Sequence, residues 1–525
     1  MTQSTYEYDV IIIGGGATGS GIALDASLRG YSVLLLEKND FASGTSSKST
    51  KLIHGGVRYL EKAILTLNKA QLNLVIEGLK ERYYFLNNAS HLSHKLTLLT
   101  PLYSFFQAIY FRMGLLTYDF LSFIRSLGKS HFISRKSLIK KQPYIKTKHL
   151  VGAVSYKDGS FNDSRMVIAL LQTAQANGAT VKNYIEVKDF LYKNGKVSGV
   201  KTYNNINKNH KEYHAKVIIN ASGYAVDKIR KLDEANATEL LQLSSGIHIV
   251  LDKKYLPTSS GILIPKTKDN RLIFILPWQN SCLVGTTDNE ATFTHKPKVS
   301  QDEINYLLTH LNENFQLHLT PKDILSSFSG LRPLLKATSS SSNLVREHKV
   351  FCSKNNLVTI AGGKWTTYRK MAEETLDFII HKQLLPRKKP CQTKNYQVMG
   401  SQTKSGLKNL EQFKLSLTIK ESLLERYGDQ AIKIAMLAQK KGLKKELHKI
   451  FPFIEAEVYY AVQYEYAKKP MDIIFRRISI GFVNKQIAKE ILSHVTKIMS
   501  TILSWDNETT LKEYQEALKE LNEIL

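Results

Sequence analysis

The chain has 525 residues, more than one core usually serves, so two or three domains are expected. Hydrophobic content of 43% with 23% charged residues is ordinary for a globular protein, and three widely spaced cysteines (Cys282, Cys352, Cys391) exclude a disulfide framework and a metal-ligand pattern, pointing to a reducing compartment. Lys and Arg (73) exceed Asp and Glu (46), and the net charge of +27 implies a surface that attracts anions such as nucleic acid or anionic lipid.

The first strand is expected within ten residues of the N-terminus, which leaves too little chain for a signal or transit peptide. Val10–Ile13 reads as a buried parallel strand that runs into Gly14, Gly16 and Gly19 at G-x-G-x-x-G spacing, followed by a helix through Leu28. Gly14 permits the tight turn, Gly16 lets backbone approach a pyrophosphate, and Gly19 lets the helix pack on the strand. The helix N-terminus offers N–H groups and a positive dipole end to phosphates. Glu37 ends the next apolar strand, where it can accept from a ribose diol.

NAD and FAD both use such a unit, and the next segment separates them. Phe41 to Leu60 is dense in small hydroxyl residues and glycine, an extended polar stretch that suits the longer FAD better than a continued alternation of strands and helices. Within it His54-Gly-Gly-Val-Arg58-Tyr59 sets paired glycines beside three side chains able to bind an anion or a ring.

Leu96 to Ile124 is the longest apolar stretch, but Pro101, Gln107, Arg112 and Asp119 interrupt it before the roughly 18 clean residues a membrane span needs. It reads either as an aromatic surface at a lipid interface or as a helix packed inward; apolar residues at helical spacing favour the inward reading. Val151 to Val187 reads as strand, turn at Asp158-Gly159, helix Ser164 to Ala176, stop at Gly178 and strand, continuing the cofactor domain. Val217 to Gly223 is a buried strand ending in a glycine turn near the adenine half of the cofactor. Short strands from 240 to 350 suggest an antiparallel wall of a substrate pocket. Val358–Gly363 returns to the cofactor domain, and the helix Thr367 to His381 follows with its N-terminus toward the flavin. Residues 385–405 lack periodicity and read as a linker, and 406–525 as a helical, amphipathic C-terminal domain.

The expected fold is therefore α/β: a Rossmann-type FAD-binding domain (1–75, 148–235, 353–384) interleaved with an antiparallel-sheet substrate domain (76–147, 236–352), plus the helical domain. A flavin that oxidises an alcohol needs a proton acceptor and, for a phosphorylated substrate, an anion clamp. Arg58, Arg332, Arg346 and Lys364, flanked by turns, suit a clamp of guanidinium forks with one ammonium. His248, alternating with apolar neighbours on a strand, and His54 are the candidate bases.

The chain resembles the FAD-dependent glycerol-3-phosphate dehydrogenases, most closely the mitochondrial-type, quinone-reducing members. The resemblance rests on the Gly14 fingerprint, Thr45–Tyr59, Asp158–Met166, Asn220–Gly223, Gly246–Val250, Leu276–Trp278, Gly285–Asp288, Ser329–Pro333 and Ala361–Arg369, collinear to about residue 380. It implies oxidation of sn-glycerol 3-phosphate to dihydroxyacetone phosphate, with His248, Arg332 and His54 catalytic and Arg58, Tyr59, Arg332, Arg346 and Lys364 binding the substrate. Asn343–His348, around Arg346, departs from the family's usual flanks. FAD contacts fall to Gly14, Gly16, Gly19, Glu37, Thr45, Ser46, Ser49, Lys51, Leu52, Val187, Ala221, Gly223, Gly362, Gly363 and Thr366. Expected partners are glycerol 3-phosphate, membrane quinone and an anionic membrane surface, with no nucleic acid and no metal; a homodimer is compatible. The expected location is cytoplasmic, attached peripherally to the inner face of the cytoplasmic membrane. An oxygen-using glycerol-3-phosphate oxidase is the alternative enzyme. A basic RNA-associated flavoprotein is the alternative of another class, distinguished by steeply salt-dependent RNA binding.

Overall fold

A computed structural model describes residues 7–56, 68–122, 125–269, 271–336, 348–401 and 406–524. Among these, the first strand β1 (Tyr8–Ile13) is followed by helix α1 (Ala17–Leu28), β2 (Val33–Leu36), β3 (Leu52–Ile53), α2 (Lys69–Asn88), β4 (Ser93–Leu102), α3 (Phe105–Ser122) and β5 (His131–Ser134). Next come α4 (Arg135–Lys141), β6 (Gly152–Phe161), α5 (Asp163–Ala176), β7 (Thr180–Lys182), β8 (Ile185–Lys193), β9 (Lys196–Asn204) and β10 (His210–Asn220). The chain continues through α6 (Val226–Asp233), β11 (Leu241–Asp252), β12 (Gly261–Ile264), β13 (Ile273–Trp278), β14 (Ser281–Gly285), β15 (Asn289–Ala291), α7 (Gln301–Asn314), β16 (Ile324–Leu335), β17 (His348–Cys352), β18 (Leu357–Gly362) and α8 (Tyr368–His381).

The strands form two large sheets. The first runs β17-β18-β10-β1-β2-β7, with the β8–β9 ribbon hung on β10. Its centre is parallel: β1 pairs in parallel with both β10 and β2. Val10, Ile11 and Ile12 are fully buried because β1 is covered on both faces. Val10 and Ile12 pack against α1, α5 and α8, whereas Ile11 and Ile13 pack against the β8–β9 ribbon.

The second sheet runs β15-β11-β14-β13-β12-β4-β6-β3, with β16 paired to β11 and β5 to β6. Along β11, Ile247 and Ile249 enter the core shared with α7. Val250, two residues from His248 and so on the same face, enters the core shared with the C-terminal helices. That alternation turns His248 away from α7 and toward the first sheet's loops.

Four features differ from the sequence expectation. Asp158-Gly159 makes no turn: both residues lie inside β6, which pairs with all ten residues of β4. The buried Asp158 carboxylate tolerates a strand interior because Arg82 pairs with it at 2.6 Å and the Tyr118 hydroxyl donates to it. Secondly, β6 sits in the second sheet and β17, which pairs with β18, in the first, so the chain changes sheet more often than composition indicates.

Thirdly, Leu96 to Ser122 is a strand and then a helix, and α3 packs inward along one narrow edge only. Only Leu115, Tyr118 and Ser122 of α3 are buried, while Phe105, Phe106, Ile109, Met113 and Phe120 are exposed, Phe106 at 83%. Helical spacing fixes an apolar face but not what covers it. Lastly, residues 385–401 lie against the first sheet's helices, with Leu385 and Val398 buried and Pro386 and Thr393 carbonyls accepting from Tyr31 and Asn88.

The C-terminal part is mainly helical, with a short β19–β20 hairpin (Glu446–His448, Phe451–Ile454) and one π-helical stretch, Asp472–Arg477. Arg477 makes a bidentate pair with Asp40 at 2.9 Å for each oxygen, and Arg476 binds the same carboxylate. Through these pairs the C-terminal part grips the loop that follows Glu37.

Candidate active site

At the C-terminal end of β1, Gly14 has φ +113° and a Cβ there would lie 2.6 Å from the Ala221 carbonyl oxygen. A Cβ on Gly19 would lie 1.9 Å from the Gly14 carbonyl oxygen. The two glycines therefore let β1, α1 and the end of β10 converge. Gly16 caps α1 with no side chain, and a Cβ there would meet Ser46 Oγ at 2.8 Å; that hydroxyl accepts from the Ala17 N–H.

Glu37 accepts from the Gly15 N–H at 2.8 Å with one oxygen and from the Asn39 N–H at 2.9 Å with the other. Burial pushes its pKa up against the pull of those two N–H groups. Each oxygen keeps lone-pair capacity for a hydroxyl donor. At this end of the sheet the Ala221 N–H donates to the Ile13 carbonyl, the Ile185 N–H donates to the Glu37 carbonyl, and Gly223 has φ +60°. The Val187 side chain is buried in the core shared with Ile11 and Ile13.

The hydroxyl-rich loop is more committed than its composition suggests. Thr45 Oγ1 donates to the Leu331 carbonyl at 2.6 Å, and Ser49 Oγ donates to Asp163 at 2.7 Å. Lys51, with φ +60°, buries its ammonium between Asp163 and the Ser47 carbonyl, both at 2.6 Å. Trp278, Phe328 and Phe482 surround it at 5.1, 5.4 and 5.6 Å. Burial lowers the Lys51 pKa, and Asp163 opposes that fall. Leu52 packs into the second core. Toward a cofactor these residues present mainly backbone, which is what a pyrophosphate in a glycine-rich cradle requires. The α1 terminus, whose own N-cap Gly16 carries no side chain, and the Glu37 acceptor fit an FAD.

On the facing side, Gly362 and Gly363 take φ +79° and +83° and lead into Lys364, the N-cap of the turn Trp365–Thr367. Trp365 Nε1 donates to the Ser46 carbonyl at 2.9 Å and Thr366 Oγ1 reaches the His54 carbonyl at 3.5 Å, so this turn closes on the cofactor loop.

Arg332 of β16 lies in register with Ser244 of β11. Its Nη1 reaches Asp288 at 3.0 Å, Ser244 Oγ and the Ser245 carbonyl; its Nη2 donates to Thr286 Oγ1 at 2.8 Å and the Thr287 carbonyl at 3.0 Å. A Cβ on Gly246 would lie 2.1 Å from this guanidinium, so Gly246 makes the room for it. The Arg332 side chain remains 20% exposed and Asp288 50% exposed.

His248 is buried, stacked on Phe328 at 5.1 Å and 3.0 Å from Thr50 Oγ1 through Nε2. Desolvation, with Lys51 and Arg332 nearby, holds its pKa well below the usual imidazole range, so it is neutral at pH 7. Arg58, Tyr59 and Arg346 lie outside the described residues. Sequence reasoning assigned no role to Thr50, to Asp163, or to Thr286–Asp288 around Arg332. All of them lie inside the runs that carry the family resemblance, Thr45–Tyr59, Asp158–Met166 and Gly285–Asp288, but nothing local marks which side chain does what.

Residues 9–369 match the family model described as FAD dependent oxidoreductase, and 391–510 match the C-terminal domain of alpha-glycerophosphate oxidase. The mitochondrial glycerol-3-phosphate dehydrogenase of Arabidopsis thaliana is 40% identical over 534 residues, covering 97% of this chain and 85% of that protein. The mitochondrial enzyme of Homo sapiens is 38% identical over 535 residues, covering 98% and 73%. Among solved structures, the glycerol-3-phosphate dehydrogenase of Bacillus halodurans complexed with FAD superposes with a TM-score of 0.80 at 28% identity, covering 99% of this chain and 95% of that one. The reduced L-alpha-glycerophosphate oxidase of Mycoplasma pneumoniae shares the fold at TM-score 0.56 and 20% identity, over 74% of this chain. A dinucleotide cradle facing an arginine and a buried neutral histidine, in a chain alike over nearly its whole length, belongs to the family of FAD-dependent glycerol-3-phosphate dehydrogenases.

Proposed function

We propose that this chain oxidises sn-glycerol 3-phosphate to dihydroxyacetone phosphate and passes the electrons to membrane quinone. The observation that carries the reading is Arg332 beside His248. A partly exposed guanidinium, fixed by Thr286, Thr287 and Asp288, lies four residues along β16 from Phe328, on which the buried imidazole stacks. FAD, when bound, supplies the hydride acceptor. Arg332 and Lys364 hold the substrate phosphate, joined by Arg58 and Arg346, with Tyr59 donating to the substrate. His248 accepts the hydroxyl proton, for which a neutral imidazole is the competent form. His54 is the competing base, and oxygen the competing acceptor.

Among the described residues no helix is long and apolar enough to cross a membrane. The exposed rings of α3 and the charge of +27 support peripheral attachment to an anionic leaflet. Anaerobic mixing of the yellow protein with glycerol 3-phosphate should bleach the oxidised flavin band, and a quinone analogue should restore it. Persistence of the band with substrate present would reject the reading, and recovery only with oxygen would shift it to the oxidase. Pelleting with anionic vesicles should fall on Phe106→Asp plus Phe120→Asp; unchanged pelleting would remove α3 from the membrane face.

A further inference from the structure

We infer that Thr50 is a positioning residue that selects the tautomer of His248, so that Nδ1 is the atom that accepts the substrate's hydroxyl proton. This rests on His248 being the base. Three observations converge on the ring. Its Nε2 lies 3.0 Å from Thr50 Oγ1. Its Cδ2–Nε2 edge backs onto β14, where a Cβ on Gly285 would come within 2.3 Å of Cδ2 and 2.9 Å of Nε2. Its Nδ1 is buried and meets no hydrogen-bond partner among the described residues. Phe328 covers one ring face, and Thr50 engages Nε2, which leaves Nδ1 as the ring nitrogen with no committed partner among the described residues.

Tautomer follows from the cost of each arrangement. A neutral imidazole carries one N–H and one lone pair. With the proton on Nδ1, a buried N–H would stand without an acceptor, an arrangement rare in folded proteins. With the proton on Nε2, that N–H donates to Thr50 Oγ1 and the bare atom is an acceptor, which proteins tolerate more readily. Desolvation, with Lys51 and Arg332 nearby, disfavours the imidazolium, so the ring waits neutral. The proton would leave the substrate's hydroxyl oxygen for Nδ1, and bound FAD would accept the hydride from the carbon that bears that oxygen, so proton and electron pair are both accounted for.

Thr50 reaches the ring across 198 residues of sequence, from the cofactor loop to the substrate sheet. It is half-buried, so replacement is tolerated better than at the core positions around it. The test uses the FAD-loaded enzyme in anaerobic single-turnover mixing with glycerol 3-phosphate, for Thr50→Val, Thr50→Ser and His248→Ala. His248→Ala should slow flavin reduction at saturation by roughly 10²–10⁴-fold. Thr50→Val, which keeps shape and loses the hydroxyl, should slow it by about tenfold or more with the substrate concentration for half-saturation little changed. Thr50→Ser should recover most of the rate. In ¹⁵N-histidine spectra of the resting enzyme, the His248 signal should carry its proton on Nε2 and move toward the other tautomer in Thr50→Val. Parental reduction by His248→Ala would overturn the base assignment itself. A slow His248→Ala with a parental Thr50→Val, or with an unmoved ¹⁵N signature, would overturn the role of Thr50 alone.

Discussion

The two sides of the site treat positive charge in opposite ways. On the cofactor side, Lys51 and Arg477 are fully enclosed and each meets a carboxylate inside the protein, Asp163 and Asp40. On the substrate side, Arg332 keeps a fifth of its side chain open and meets an Asp288 that is half in water. An enclosed pair holds chain segments together, whereas a cation with an exposed partner can exchange it for a ligand anion at small cost. Charge near a site therefore says little about ligand binding until the partner's burial is known.

Breaking the enclosed side should have the largest effect. Asp163→Asn leaves the Lys51 ammonium buried without its counter-charge and should cost about 3–5 kcal/mol of stability. Denaturant midpoints would register that loss, and the purified protein should carry less FAD, because Ser49 and Lys51 both tie the cofactor loop to Asp163. An equally stable, fully yellow Asp163→Asn protein would erase the distinction between the two sides.

Arg332→Ala should leave a folded, yellow protein, since the abandoned Asp288 is already solvated. Its loss should appear as weaker substrate capture of about 1.5–3 kcal/mol, the range of a charge-assisted bond. Steady-state kcat/KM with unchanged FAD content would sharpen the contrast. Substantial unfolding would show that Arg332 belongs with the enclosed group.

The smallest effect concerns an intermediate pair at the base of β1. Burial raises the pKa of Asp9, but Lys216 at 2.7 Å and Lys388 at 2.9 Å outweigh it and bring the group from 3.8 to about 2. A depressed carboxyl pKa stabilises the fold above the unfolded value and loses that contribution as pH falls from about 4 toward 2. Both lysines are substantially exposed, so the contribution should be about 1–2 kcal/mol and shrink in salt. Comparing acid unfolding of the parent with Asp9→Asn at low and high salt would measure it; a salt-independent difference would contradict the screened pairing.

Where sequence and structure part company, sequence distance is the reason. The turn expected at Asp158-Gly159 follows a good local rule, yet Arg82, 76 residues away, supplies the partner that lets Asp158 stay inside a strand. The inward packing expected of α3 is likewise a sound inference from periodicity, yet beyond the edge of Leu115, Tyr118 and Ser122 most of its apolar surface points outward. The unassigned role of Thr50 has the same origin, since nothing adjacent in sequence marks it as a partner of His248.

By itself, the sequence determined the parallel strand, the three glycines and the helix of the cofactor unit, because each is a steric requirement met within about 30 residues. It likewise determined Glu37 at its strand end, the buried alternation along β11 and the largely helical C-terminal part. Only the tertiary structure decided which charged groups of the cofactor loop are consumed internally: Lys51 by Asp163, 112 residues on, and Asp40 by Arg477, 437 residues on. It also decided which sheet β6 and β17 join and which imidazole nitrogen of His248 finds no partner among the described residues. Local sterics and periodicity specify an element, whereas the state of a charge or a ring nitrogen depends on what distant chain is packed against it.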